Sequence, residues 1–259
     1  MSGARATNCA IRRHRLSCPG RMPACVRISR VPARRLRNMR ESIETGLATY
    51  GLRLLGDVVA RVEDESEPSH LYLAGNAGGE MWDVFAASPE SSDGNAHPLD
   101  RWTCRVLESL GREWNARVLF PFGGAPWHPF QQWARLAGCG SASPLGILMH
   151  PRFGVWCGYR GAFTFDATGR RETVEPQVPF ACGDCAAKPC LGACPVGAVT
   201  KSGLDAPRCR AHVLSDAGKE CRTGGCLARR ACPVAAQWQQ SSAQQAFHMA
   251  AFASGSISL

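Results

Sequence analysis

The chain has 259 residues, 45% of them hydrophobic and 20% charged, which excludes a fibrous or wholly disordered polymer. Its formal net charge of +9 invites a nucleic-acid reading, yet residues 1 to 40 hold eleven arginines and no acid, and the remaining 219 residues carry 19 bases and 21 acids. Nucleic-acid binding by the folded body is therefore excluded, and no run of eighteen apolar residues predicts a membrane-spanning helix.

Residues 1–38 form an Arg-rich leader without a periodic apolar pattern, expected to stay outside the fold. No apolar run follows Arg12-Arg13, which argues against a secretory or twin-arginine signal. Three origins stay open: a start codon read upstream of Met39, a targeting segment, or a basic arm. Cys9, Cys18 and Cys25 lie in this leader and are expected to form no site. The expected location is the cytoplasm, a reducing compartment in which cysteines serve metals rather than disulfides.

A helix is expected from Met39, over residues 40–62. A strand over 70–75 runs into the turn Gly75-Asn76-Ala77-Gly78-Gly79, which lacks the dinucleotide-binding glycine spacing. Residues 98–115 predict a helix with Trp102, Val106 and Leu110 on one face. A strand over 116–122 and a helix over 129–138, ended by Gly138, come next. Two further strands, 145–150 and 155–165, flank a Pro-Arg-Phe-Gly turn. This order predicts an α/β or α+β body over 39–172, a short Pro/Gln linker, a cysteine-rich unit over 179–236, and a C-terminal helix and tail over 237–259. His97 and Asp100 open a helix, where an acid is ordinary dipole chemistry. His128 and His248 read as structural, and Cys104, Cys139 and Cys157 as small core residues.

Eight cysteines fall between 182 and 232. The first group is Cys182-Gly-Asp-Cys185-Ala-Ala-Lys-Pro-Cys190-Leu-Gly-Ala-Cys194-Pro195, spaced C-x2-C-x4-C-x3-C-P. The bacterial ferredoxin run is C-x2-C-x2-C-x3-C-P, whose fourth cysteine ligates the other of two clusters. The second group is Cys209, Cys221, Cys226 and Cys232-Pro233, closed by the same Cys-Pro. The repeated Cys-Pro turns the chain away and sends the preceding thiolate to the other centre. The expectation is two [4Fe-4S] clusters, one on Cys182, Cys185, Cys190 and Cys232, the other on Cys194, Cys209, Cys221 and Cys226. Zinc sites are the alternative, since C-x2-C pairs also serve zinc. Gly183, Ala186, Gly192, Ala193 and Gly197 would let backbone amides approach the sulfides. Lys188, Arg222, Arg229 and Arg230 would either offset cluster charge or be simply solvated.

His150-Pro151-Arg152-Phe153-Gly154-Val155-Trp156, followed by Arg160-Gly161, resembles a segment of the cobalamin-processing (decyanase and chaperone) proteins. The Phe-Gly-x-Trp strand followed by the two Cys-Pro groups is similar to epoxyqueuosine reductase and the reductive dehalogenases. The resemblance covers about residues 40–235. It implies a nitroreductase-like α+β body that holds a base-off corrinoid, followed by a bacterial-ferredoxin-like dicluster domain. It also implies His150, Arg152, Phe153, Gly154, Trp156 and Arg160 as cofactor-binding residues. Read from the residues alone, the same stretch is a tight turn between core strands, with Phe153 and Trp156 as packing and Arg160 as an ion partner. The stretch matching the reductase's catalytic-aspartate segment, Phe120 to Trp127, holds no acid, so that aspartate has no counterpart here and epoxyqueuosine reduction itself is not expected. The D-x-H-x-x-G motif that supplies a lower axial ligand is also absent, so a cobalamin would sit with its base displaced.

The expected function is iron–sulfur electron transfer, from a redox donor protein to a corrinoid held in the body, acting as a reductase on a small molecule. A ferredoxin-type carrier whose body only docks partners, and a zinc-stabilised interaction protein, are the alternatives. Neither nucleic acid nor membrane is an expected partner.

Overall fold

Gly51 ends the first helix and turns the chain into the sheet. The computed structural model describes residues 33–63, 67–166 and 181–255; the leader up to residue 32 and the Pro/Gln linker lie outside the described residues. Helix α1 (Ala33–Ala48) begins six residues before Met39 and buries Ile43 and Leu47, one turn apart on one face. Gly51 has φ +64°, and a Cβ there would meet the Glu80 backbone at 2.5 Å. The helix expected over 40–62 therefore stops early. Residues that continue its apolar period instead form strand β1 (Leu52–Ala60), pairing antiparallel with β2 (Ser69–Ala77) from Leu52↔Asn76 to Ala60↔Ser69. Val58 and Val59 favour the pleat, and cross-strand pairing overrides the helical period.

The chain then forms α2 (Glu80–Ala86), α3 (Pro98–Glu113), β3 (Arg117–Leu119), α4 (Phe130–Leu136) and β4 (Cys157–Asp166). The sheet order is β1-β2-β4-β3, and every neighbouring pair is antiparallel. That makes the body α+β. Side chains of β2 alternate between two apolar layers. Tyr72 and Ala74 join Ile43, Leu47, Phe85, Trp102, Leu107 and Phe163 under α1, α2 and α3, while Leu71 and Leu73 join Leu119, Phe130, Trp133 and Ala162 beside α4. Fully burying a side chain such as Leu71 or Phe163 contributes about 1.5–3 kcal/mol, so both faces of the sheet are stabilised.

The two strands expected around the Pro-Arg-Phe-Gly turn do not form a hairpin. Leu148–Met149 pairs with Ser141–Ala142, and the turn closes through the His150↔Gly154 bridge alone. After residue 181 the chain forms short helical pieces, a Val199–Thr200/Gly203–Leu204 hairpin, α5 (Ala206–Leu214) and α6 (Lys219–Gly224). The final helix, α7 (Ser242–Ala253), is capped by Ser241, whose Oγ accepts the Gln244 N–H at 3.2 Å. It returns to the body, where Phe247 lies 5.3 Å from Trp82 and 5.6 Å from Phe85. Among the described residues no helix is long and apolar enough to cross a membrane.

Candidate functional site

The eight cysteines after residue 181 gather as two fours. Cys182, Cys185, Cys190 and Cys232 line one pocket together with Leu145, Met149 and Val155 of the body. Burial raises the Cys190 and Cys232 thiols, and the other thiols of this set raise them further. Burial likewise pushes Cys209 up to about 11, helped by neighbouring Cys226, Cys194 and Cys221, and raises Cys226 beside Cys221 and Cys194. Each set thus holds four thiols in mutual electrostatic reach. The raised Cys190, Cys209, Cys226 and Cys232 thiols favour the neutral form when no cation is bound, because dense unpaired thiolates would be costly. Among the described residues no three His, Cys, Asp or Glu side chains converge tightly enough for a single metal ion.

Backbone amides point at these sulfurs. Ala198 N–H lies 3.2 Å from Cys194 Sγ. Cys226 occupies the N-cap position of a short helix, Leu227–Arg230, where the Arg229 and Ala228 amides pull its thiol down against the rise that burial causes. The Leu191 and Val234 amides act in the same way on Cys190 and Cys232. No heavy atom stands within 4 Å of where a Cβ would sit on Gly183, Gly192 or Gly197.

Residues 150–156 form the seam between sheet and cysteine segment. His150 is buried, and burial lowers its pKa; Nε2 donates to the Leu55 carbonyl at 2.9 Å, while Nδ1 accepts the Arg152 N–H at 3.0 Å. Phe153 packs with Leu55 and Ala77, edge-on to Trp238 at 4.9 Å. Gly154 has φ +55°, and a Cβ there would stand 2.7 Å from the Val234 carbonyl, two residues past Cys232. Trp156 is fully buried among Leu145, Met149, Val155, Val199 and Ala228, a cluster against which cysteines of both sets pack. His150, Phe153, Gly154 and Trp156 are therefore turned inward, whereas Arg152 is exposed with its guanidinium 5.2 Å over the Phe153 ring.

Arg229 fastens this seam. Its Nε and Nη2 donate to the Val155 carbonyl at 3.0 and 2.6 Å, and its guanidinium lies 4.6 Å from the Trp156 ring. Burial lowers its pKa to about 10. The other three basic residues are also engaged. Lys188 Nζ donates to the Cys182 carbonyl at 2.8 Å, Arg222 to the Ser215 carbonyl at 3.1 Å, and Arg230 faces Glu220 at 3.4 Å on the surface.

A polar cluster lies next to the seam. Arg160, on β4, keeps 17% of its side chain exposed although protein surrounds it. Its contacts are long, 3.4 Å from Nε to Asn76 Oδ1 and 3.6 Å from Nη1 to Asp100 Oδ1, so among the described residues most of its five N–H donors find no partner. Burial raises the Asp100 carboxyl against the pull of Arg160 and His97. His248, brought by α7, is pushed down to about 3 by burial and then by Arg160 and Arg229. Two arginines, one acid and a neutral imidazole give the cluster a net positive charge, suited to an anionic group. The sequence readings of His248 as structural and Asp100 as helix-start dipole chemistry gave no hint of this cluster, because five separate elements converge to build it. His128, also read as structural, lies stacked 5.8 Å from Trp133. Cys104 is a core residue with 6% exposure, while Cys139 and Cys157 are half-buried, their thiols raised by burial to about 11 and about 12.

No protein-family model matches the chain, and no curated protein matches it. Among solved structures, the chain is similar to a Caenorhabditis elegans B12-trafficking protein, CblC, a human MMACHC homologue, at 12% identity and a TM-score of 0.50, over 84% of this chain and 92% of that one. It also matches an epoxyqueuosine reductase at 15% identity and a TM-score of 0.46, over 81% of this chain and 68% of that one. The likeness to CblC places this chain in the same mixed α/β fold.

Proposed function

We propose that this protein transfers electrons through two [4Fe-4S] clusters held by Cys182, Cys185, Cys190 and Cys232 and by Cys194, Cys209, Cys221 and Cys226. One observation carries the reading: eight thiols gather as two fours, each drawing a ligand from the far Cys-Pro group. The residues fit such clusters. The donor set is all thiol, the Ala198 amide donates to one sulfur, and amides lie beside three more. Zinc does not account for the repeated Cys-Pro. When bound, the clusters supply one-electron steps; the chain itself separates them from water, orients the thiolates and tunes potential through the N–H···S contacts.

The electron acceptor is proposed to bind against the cluster of Arg160, His248, Asn76 and Asp100, which Arg229 links to the second thiol set. A corrinoid is the proposed occupant, supported by the fold shared with a B12-trafficking protein. His150, Phe153, Gly154 and Trp156 pack in the turn and seam, so among the residues first expected to touch such a cofactor, Arg160 is the one that belongs to the polar cluster. The chain's proposed part there is to hold an anionic group with Arg160 and to keep water from the acceptor.

Iron and acid-labile sulfide in protein purified without air test the cluster reading. The expected result is about eight iron and eight sulfide per chain with broad absorbance near 400 nm. About two zinc and no colour would overturn it. Addition of cob(II)alamin tests the second part; no spectral change with wild type, or the same change with Arg160→Ala, would remove the corrinoid.

A further inference from the structure

We infer that the open groove beside Cys182 is the docking surface of an acidic redox protein that reduces the first thiol set's cluster, an inference that rests on the iron–sulfur reading above. The groove is bordered by Ser143, Pro144, Cys182, Lys188, Lys201 and Gly203. It continues into the pocket of the first set, since Ser143, Pro144, Cys182 and Lys188 border both. Electrons arriving at the groove therefore meet Cys182 first. Gly183 beside it is exposed, with no heavy atom within 4 Å of a would-be Cβ, so a partner's surface can approach closely. The second set lies deeper: Cys221 is buried, and Cys226 abuts the seam through Arg229. This orders the route as groove, first set, second set, polar cluster.

Charge selects the partner. Lys201 is exposed in the Val199–Leu204 hairpin and forms no ion pair among the described residues. The Lys188 ammonium rests on a carbonyl rather than a carboxylate, so its charge is also unneutralised. Asp184 is exposed on the neighbouring turn but does not border the groove. Residues 33–166, from α1 to the end of β4, carry fifteen acids and thirteen bases, whereas 181–236 carry eight bases and four acids. An acidic protein is thus steered toward the cysteine segment rather than the near-neutral body. Thiolate-bound iron adds negative charge inside the segment, but the approaching surface meets the two rim ammonium groups first. In the encounter one electron leaves the partner's reduced group and is taken up at the first set, with no atom transferred.

The test uses anaerobically purified full-length protein, reduced flavodoxin as the acidic donor, and photoreduced free deazaflavin as a donor that needs no docking. Bleaching near 400 nm reads the rate. Lys201→Glu, with Lys201→Gln as the milder change, is expected to slow reduction by flavodoxin about tenfold at low salt, and added salt should close the gap. Lys219→Glu, an exposed reversal on α6, is expected to stay within about twofold of wild type, and deazaflavin rates should be unchanged throughout. Equal flavodoxin rates for wild type and Lys201→Glu, or an equal loss with deazaflavin, would overturn the docking surface while leaving the clusters standing. A wild-type protein without iron would overturn both.

Discussion

Replacing Gly154 by alanine should loosen the cysteine segment from the sheet. At φ +55° an alanine pays the left-handed penalty of about 1–2 kcal/mol. Its Cβ would also stand 2.7 Å from the Val234 carbonyl and 3.1 Å from the Ala235 Cβ, and neither neighbour is the free end of a flexible side chain. Overpacking of this kind costs about 1–3 kcal/mol. The sum, about 2–5 kcal/mol, corresponds to a fall in Tm of about 5–15 °C for a protein of this size. Because Val234 follows Cys232-Pro233, the displaced backbone should also disturb the pocket that Cys232 completes, lowering absorbance near 400 nm per chain. Gly183→Ala is the control: a methyl group there meets no heavy atom within 4 Å, so both readings should match wild type. Calorimetry and anaerobic absorbance on the three proteins decide the matter. A Gly154→Ala protein melting within 2 °C of wild type, with full absorbance, would refute the idea that the turn bears against the segment.

Other perturbations test the remaining parts. Cys232→Ser and Cys226→Ser should each remove about half the iron, from different centres, whereas Cys104→Ser should retain all of it; iron analysis with EPR of the reduced proteins checks this. Arg229→Met leaves the Val155 carbonyl without its two donors and removes the contact with Trp156, a loss of about 2–4 kcal/mol measurable in guanidinium chloride; an unchanged midpoint would show the seam holds without it. The folded protein keeps His248 and His150 neutral below the value near 6.5 at which they titrate in the unfolded chain. Their contribution is therefore full above that pH and is lost as the pH falls through it toward their depressed folded values. Urea midpoints should drop from pH 7 to pH 5, and less so in His248→Phe; an equal drop in both proteins would take His248 out of the buried cluster.

The sequence alone, through local periodicity and spacing, was enough for most of the elements. The run around Trp102, Val106 and Leu110 is a helix, residues 70–75 lie in a strand, and Gly138 stops the helix before it, because each rests on contacts a few residues long. The eight cysteines were likewise legible, since thiol chemistry needs them at short, repeated intervals. Residues 52–60 were not: their apolar period suits a helix equally well, and only pairing with β2 makes them a strand. Tertiary structure also decided the 150–156 stretch, by pressing Gly154 against Val234 and closing Trp156 inside the seam. The polar cluster is the furthest from the sequence. Asn76, Asp100, Arg160, Arg229 and His248 are scattered over 173 positions and unremarkable singly. Their shared burial, which turns one imidazole neutral between two guanidinium groups, exists only once the last helix folds back onto the sheet.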